Sequence, residues 1–147
     1  MVVRSDGKEL VTDKTVRMTD MNSDYLWLEI EAMKEVSSPY VVEYLGHKYH
    51  QHSDQVSIYM PFYQNGDLED YLLNSKSLNF KQKMKMFIDI LTGMKQLHSK
   101  LIIHRDLKLK NVFVDWTGKC IVGDIGTATV MQGMRQSQVG TFPNQAP

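Results

Sequence analysis

The chain has 147 residues, 42% of them apolar and 23% charged, and a formal net charge of zero. That is the size and composition of about one soluble globular domain, and no apolar run approaches the length of a membrane helix or a signal-peptide core. A single cysteine, Cys120, excludes an intrachain disulfide and fits a reducing, intracellular setting, with the cytoplasm as the expected location and the nucleus left open. The charge is uneven: residues 1–60 carry 6 basic and 10 acidic side chains and residues 61–147 carry 11 and 7, so the second half mildly favours an anionic ligand.

Gly7 reads as a turn, and Leu10 to Met18 alternates loosely in the manner of a strand. From Asn22 to Val36, Leu26, Ile30 and Met33 recur at helical spacing until Ser37–Ser38–Pro39 stops the pattern, which predicts a helix of about four turns. Val41 to Leu45 and Val56 to Met60 then read as two strands joined by a polar loop that carries His47, His50 and His52. No acid or cysteine stands at ligand spacing from these histidines, so they do not read as a metal cluster. Gly66–Asp67 opens a short helix carrying Leu68, Tyr71 and Leu72. Asn79 caps a longer one, with Gln82 completing a capping box. Phe80, Met84, Phe87, Ile88, Leu91 and Met94 form a wide apolar stripe along it, read as a packing face, while Lys81, Lys83 and Lys85 read as its solvated side.

The stretch IIHRDLKLKNVFVD follows. Ile102–Ile103 and Val112–Phe113–Val114 have the character of short buried strands, so the polar residues between them form a loop pinned at both ends, the kind of place where sites are built. Val112–Val114 and Cys120–Val122 flank a glycine-containing turn as a hairpin, with Cys120 a buried strand residue. Pairing Phe113 with Ile121 brings Asn111 and Gly123–Asp124 to the same open end. A carboxamide and a carboxylate meeting there, with Asp106 close by in the loop, offer hard oxygen ligands suited to magnesium. Asp106 or Asn111 alone would read as a turn cap. Together with Lys108, placed to neutralise a phosphate in transit, they point to phosphoryl transfer.

His104–Arg105–Asp106–Leu107–Lys108–Leu109–Lys110–Asn111 is similar to the catalytic loop of eukaryotic protein kinases, and Asp124–Ile125–Gly126 stands at the place of their D-F-G motif. Gly140–Thr141 through Ala146–Pro147 resembles the family's segment ending in A-P-E. The lysine two residues after Asp106 resembles the serine/threonine branch. Val11–Thr12–Asp13–Lys14 is similar to the strand that bears the ATP-phosphate lysine, and Glu29 stands where its helix partner is expected. Ile58–Tyr59–Met60–Pro61–Phe62–Tyr63, followed by Gly66–Asp67–Leu68, resembles the hinge, with Met60 as gatekeeper.

The resemblance to protein kinases implies a fold, a site and a set of ligands. The fold is α+β and protein-kinase-like: residues 1–60 supply a partial N-terminal lobe, a small antiparallel sheet plus one helix without the Gly-rich loop. Residues 61–65 are the hinge, and residues 66–147 are a partial helical C-terminal lobe ending in the activation segment. Asp106 and Lys108 are the catalytic pair. Lys14, Glu29, Met60, Pro61, Tyr63 and Asp67 bind the nucleotide, and Asn111 and Asp124 hold the metal. The cofactors are ATP and Mg2+, and the partner is a protein substrate with a Ser/Thr hydroxyl, with no nucleic acid and no membrane. His104 is structural, Thr12 lies beside adenine, Ile125 keeps its position apolar, Thr141 is structural, and Ser137 is a phosphosite facing Arg105. The alternative is a catalytically impaired truncated kinase that acts as an interaction or regulatory module on another kinase or regulatory protein, because the Gly-rich loop and the later helices lie outside this sequence.

Overall fold

The structure, a computed structural model, describes residues 2–5, 9–18, 23–75, 77–125 and 129–130. Strands β1 (Val2–Ser5), β2 (Glu9–Arg17), β3 (Gly46–His50) and β4 (Gln55–Pro61) form a four-stranded antiparallel sheet in the order β1-β2-β4-β3. The strands expected around Leu10–Met18 and Val56–Met60 are β2 and β4. Strand β1 had no sequence assignment. The register sets Thr12 opposite Met60 and Lys14 opposite Ile58, and because side chains alternate along a strand these residues share one face. Helix α1 (Ser23–Glu35) covers that face, with Leu26, Ile30 and Met33 buried in one cluster with Val56, Ile58 and Met60.

Val41 to Leu45 is not the strand the sequence pattern predicts. Val41 and Val42 are buried, but they contribute one isolated bridge, Val41 to Val122. The Val42 N–H donates to the Val122 carbonyl at 2.8 Å and the Val122 N–H to the Tyr40 carbonyl at 2.9 Å. The two valines are apolar because they staple the sheet portion to the helical portion, and the ladder begins only at Gly46. His47 and His50 therefore sit in β3 rather than in a loop, with His52 in the turn that follows. Among the described residues no group of three or more His, Cys, Asp or Glu is placed to hold a metal ion.

The second portion contains α2 (Leu68–Asn74), α3 (Phe80–Ser99), β5 (Ile102–Ile103), a 3-10 turn (Leu109–Asn111), β6 (Val112–Val114), β7 (Cys120–Val122) and β8 (Thr129–Val130). The Asp67 carboxylate accepts the Asp70 N–H at 2.9 Å and so starts α2. Asn79 and Gln82 exchange both bonds of the expected capping box at the start of α3, each at 2.9 Å. The β6–β7 hairpin pairs Phe113 with Ile121, the register expected from the pattern, and β5 pairs with β8.

The apolar stripe of α3 faces the other way from the expectation. Phe80, Met84, Phe87, Ile88 and Leu91 are exposed, and of that stripe Met94 alone packs against the core. The buried face carries Met86, Asp89, Gly93 and Leu97. Gly93 explains the rotation: an added Cβ would overlap the Tyr40 carbonyl oxygen and come within 2.8 Å of Val122 Cγ2, so the helix approaches the staple segment and β7 more closely than a side chain would permit. Asp89 adds a directional contact, accepting the Cys120 N–H at 3.2 Å and the Lys85 ammonium at 3.1 Å. Lys81, Lys83 and Lys85 are exposed as expected. Cys120 and Ile125 are fully buried, and no described helix is long and apolar enough to cross a membrane.

Candidate active site

The sheet and the hairpin meet at a cavity of ≈ 350 Å³ whose walls include Thr12, Lys14, Glu29 and Met60 from the first portion and Asn111, Phe113 and Asp124 from the second. A wider hollow of ≈ 440 Å³ lies at the C-terminal end of α1, against Pro39, Glu43 and Tyr44, and collects no comparable set of groups.

Lys14 reaches the cavity because it shares the helix-facing side of β2 with Thr12. Glu29 lies on the buried side of α1 beside Ile30 and is 5% exposed. The Lys14 ammonium donates to Glu29 Oε1 at 2.8 Å and Oε2 at 3.1 Å, and to Asp124 Oδ1 at 2.6 Å. Burial alone would depress the lysine, but the two carboxylates more than offset it and hold its pKa above the ordinary value. Burial pushes Glu29 upward, with the Lys14 charge opposing that shift. One cation thus joins the helix, the sheet and the end of the hairpin.

The loop after β5 gathers the remaining polar groups. Asp106 is buried; its Oδ2 accepts the Lys108 ammonium at 2.9 Å and the Asn111 amide at 3.1 Å, and the same amide donates to the Asp106 carbonyl at 2.8 Å. His104 is fully buried. Its Nδ1 lies 3.3 Å from the Asp106 N–H and accepts it, so the proton sits on Nε2, which donates to the Gly123 carbonyl at 2.9 Å. Burial lowers the His104 pKa, in keeping with a neutral ring that works as a brace between the loop and the residue before Asp124. The Gly123 N–H closes the circuit on the Asn111 carbonyl at 2.8 Å. Arg105 and Asp124 take left-handed backbone conformations, φ 64° and 48°, which side chains other than glycine adopt at a cost and which cluster at functional sites.

Lys14, Glu29, Met60, Asn111 and Asp124 therefore lie on one cavity. Pro61, Tyr63, Asp67, Asp106 and Lys108 are outside its walls: Pro61 ends β4 opposite Val11, Asp67 caps α2, and Asp106 and Lys108 pair with one another beside Asn111. The Tyr63 ring stacks on Phe113, centroids 5.2 Å apart and planes within 10°, and burial pushes its hydroxyl up to about 12. Ile125 is fully buried in the main core, preserving an apolar side chain there. Gly126, Ser137, Thr141 and the segment from Gly140 to Pro147 lie outside the described residues, as does the Gly7 turn.

In the sequence Phe113 is marked only as a strand residue paired with Ile121, which does not signal a cavity wall, and Asp89 sits within an apolar helix pattern, where a lone acid between Ile88 and Ile90 is the available sign. As for a metal, Asn111 and Asp124 are hard oxygen donors on the same cavity wall, a set that fits Mg2+, which keeps few protein ligands and fills its shell with water and phosphate oxygens.

The model of the protein kinase domain matches residues 1–147. Over 95 residues, 63% of this chain and 23% of the relative, it is 41% identical to a protein named probable serine/threonine-protein kinase WNK9 from Oryza sativa subsp. japonica. It is 34% identical over 122 residues, 81% of this chain and 16% of the relative, to mitogen-activated protein kinase kinase kinase 1a from Physcomitrium patens. It is 26% identical over 131 residues, 86% of this chain and 20% of the relative, to human NUAK family SNF1-like kinase 2. The chain spans less than a quarter of the length of these relatives. A lysine–glutamate pair facing an aspartate across one cleft, beside a braced HRDLKLKN loop, is the arrangement this match leads one to look for, and the chain belongs to the protein kinase family.

Proposed function

We propose that the protein is a serine/threonine kinase that transfers the γ-phosphate of Mg-ATP to a protein Ser/Thr hydroxyl. Residues 1–60 act as the N-terminal lobe portion, residues 61–65 as the hinge, and residues 66–147 as the C-terminal lobe portion with the activation segment. The observation that carries the reading is a pair of circuits that meet at Asn111: Lys14 held between Glu29 and Asp124 on the cavity that Asn111 also lines, and, next to that cavity, Asp106 held between Lys108 and Asn111.

Asp106 orients the acceptor hydroxyl and takes its proton. Lys108, already 2.9 Å from Asp106, offsets charge on the phosphoryl group in transit. Lys14 holds nucleotide phosphates, with Glu29 fixing its direction. Asn111 and Asp124 would hold magnesium, which when bound would supply charge neutralisation to the phosphates. Lys14 contacts Asp124 through Oδ1, so the ion pair seen here orders the same groups in advance. Met60 would close the rear of the base pocket, the Pro61 carbonyl and the Tyr63 N–H would serve the base edge, and Asp67 would serve the ribose. Proline at 61 has no N–H to offer, which is compatible because its carbonyl is the group used.

The test is phosphate transfer to a generic Ser/Thr substrate by the purified chain and by Asp106→Asn. Loss of a general base typically costs about 10²–10⁴ in rate. A variant as active as the parent would dispose of the assignment, and magnesium-dependent ATP binding that survives Asp124→Ala would remove the metal site from it.

A further inference from the structure

Gly123 has no backbone reason to be glycine. Its φ is not left-handed, unlike those of Gly66 and Gly118. What it lacks is room: a Cβ built there would overlap Cε2 of Phe113, approach Cδ2 to 2.7 Å and reach Cζ at 3.4 Å. Real Cβ atoms do not stand that close to a ring, so one side must yield.

The backbone is poorly placed to give way. The Gly123 N–H is bonded to the Asn111 carbonyl and its own carbonyl accepts from buried His104. A shift would break the circuit that aligns Asn111 with Asp124, and two buried hydrogen bonds resist it. The ring must move instead. It is not free to move toward the hinge, because Tyr63 is stacked against it 5.2 Å away. The open space beside the ring is the cavity that Phe113 lines together with Thr12 and Met60, whereas its other sides meet Tyr63 and the main core.

We infer that Gly123 is a positioning residue for the nucleobase: its missing side chain keeps the Phe113 ring at the floor of the pocket, and any larger residue there drives that ring into the space the base occupies. The inference rests on the nucleotide reading above. It adds a coupling between the residue before Asp124, the hairpin ring and the hinge tyrosine, in which Phe113 touches the base and Gly123 acts only through Phe113. Leucine at 113 is shorter than the ring along the offending edge, so it should tolerate a methyl at 123 that phenylalanine does not.

The experiment measures binding of adenosine and of ADP without added magnesium to the parent chain, Gly123→Ala, Phe113→Leu and the double variant, with a thermal melt of each. Adenosine isolates the base pocket from the phosphate-holding groups. Gly123→Ala should weaken both ligands by about tenfold or more, the scale on which overpacking acts, while Phe113→Leu/Gly123→Ala returns to within about threefold of Phe113→Leu. Should Gly123→Ala fail to fold, the double variant decides alone, by folding and binding or by failing to. A folded Gly123→Ala with parental affinity for adenosine, or a double variant no better than Gly123→Ala, overturns the inference and leaves the kinase reading standing. A parent chain that binds ATP in no condition overturns the kinase reading and the pocket with it.

Discussion

Replacing Lys14 with methionine keeps the apolar stem and removes the charge, which leaves Glu29, 5% exposed, without the cation that contacts both its oxygens. Unit charges about 3 Å apart attract by roughly 5–6 kcal/mol at an effective dielectric near 20, a gross figure that desolvation largely offsets. Removing one partner of a fully buried pair costs about 3–5 kcal/mol. The Lys14 side chain is 33% exposed, so water screens part of the loss, and we expect a net destabilisation of about 2 kcal/mol. For a chain of this size that lowers Tm by about 4–8 °C. The pH dependence identifies the cause. In Lys14→Met the Glu29 pKa rises further above its ordinary value, so between the two values the folded state binds more protons than the unfolded one, and stability rises as pH falls. The deficit should be largest at pH 7.5, shrink toward pH 5.5, and be mostly relieved by adding Glu29→Gln. Equal melting temperatures for Lys14→Met and Lys14→Met/Glu29→Gln at pH 7.5, or a deficit unchanged by acid, would refute the reasoning.

Two further substitutions on α3 test which face is buried: Gly93→Ala should cost about 1–3 kcal/mol by overpacking against Tyr40 and Val122, and Phe87→Gln should stay within about 0.5 kcal/mol of the parent. Urea midpoints in the opposite order would mean that the helix is rotated from the orientation described. Acid should destabilise the fold through His104, whose pKa lies below the ordinary 6.5 in the folded state. Because the unfolded chain then binds more protons, stability falls as pH drops through about 6.5. His104→Gln should flatten the dependence of the urea midpoint between pH 7.5 and 5.5, and an unaltered slope would show that other groups carry it.

Local chemistry was legible wherever one element answered to its own residues. The Asn79–Gln82 capping box, the Asp67 start of α2 and the Phe113–Ile121 register each depend on neighbours a few residues apart, and each appears in the structure as the pattern predicts. The pairing of Lys14 with Glu29 was a different kind of expectation. It came from motif order and links residues on separate elements, and the 2.8 Å contact is its geometric counterpart. Apolar runs misled in two places. Val41–Val42 has the composition of a strand but serves as a staple, and the stripe from Phe80 to Leu91 marks an apolar surface without saying what stands over it.

The sequence alone determined the three helices and the starts of α2 and α3 at Asp67 and Asn79, the spacing of the HRDLKLKN loop from Asp124, and the hairpin register that puts Asn111 and Asp124 at one end, because each is set by short-range periodicity, capping and turn chemistry. Tertiary structure decided which face of α3 is buried, that Lys14 bridges two carboxylates, and that Phe113 and Gly123 interlock. Those outcomes depend on how closely two backbones approach and on which side chains from distant segments compete for the same volume, quantities that no one-dimensional pattern encodes.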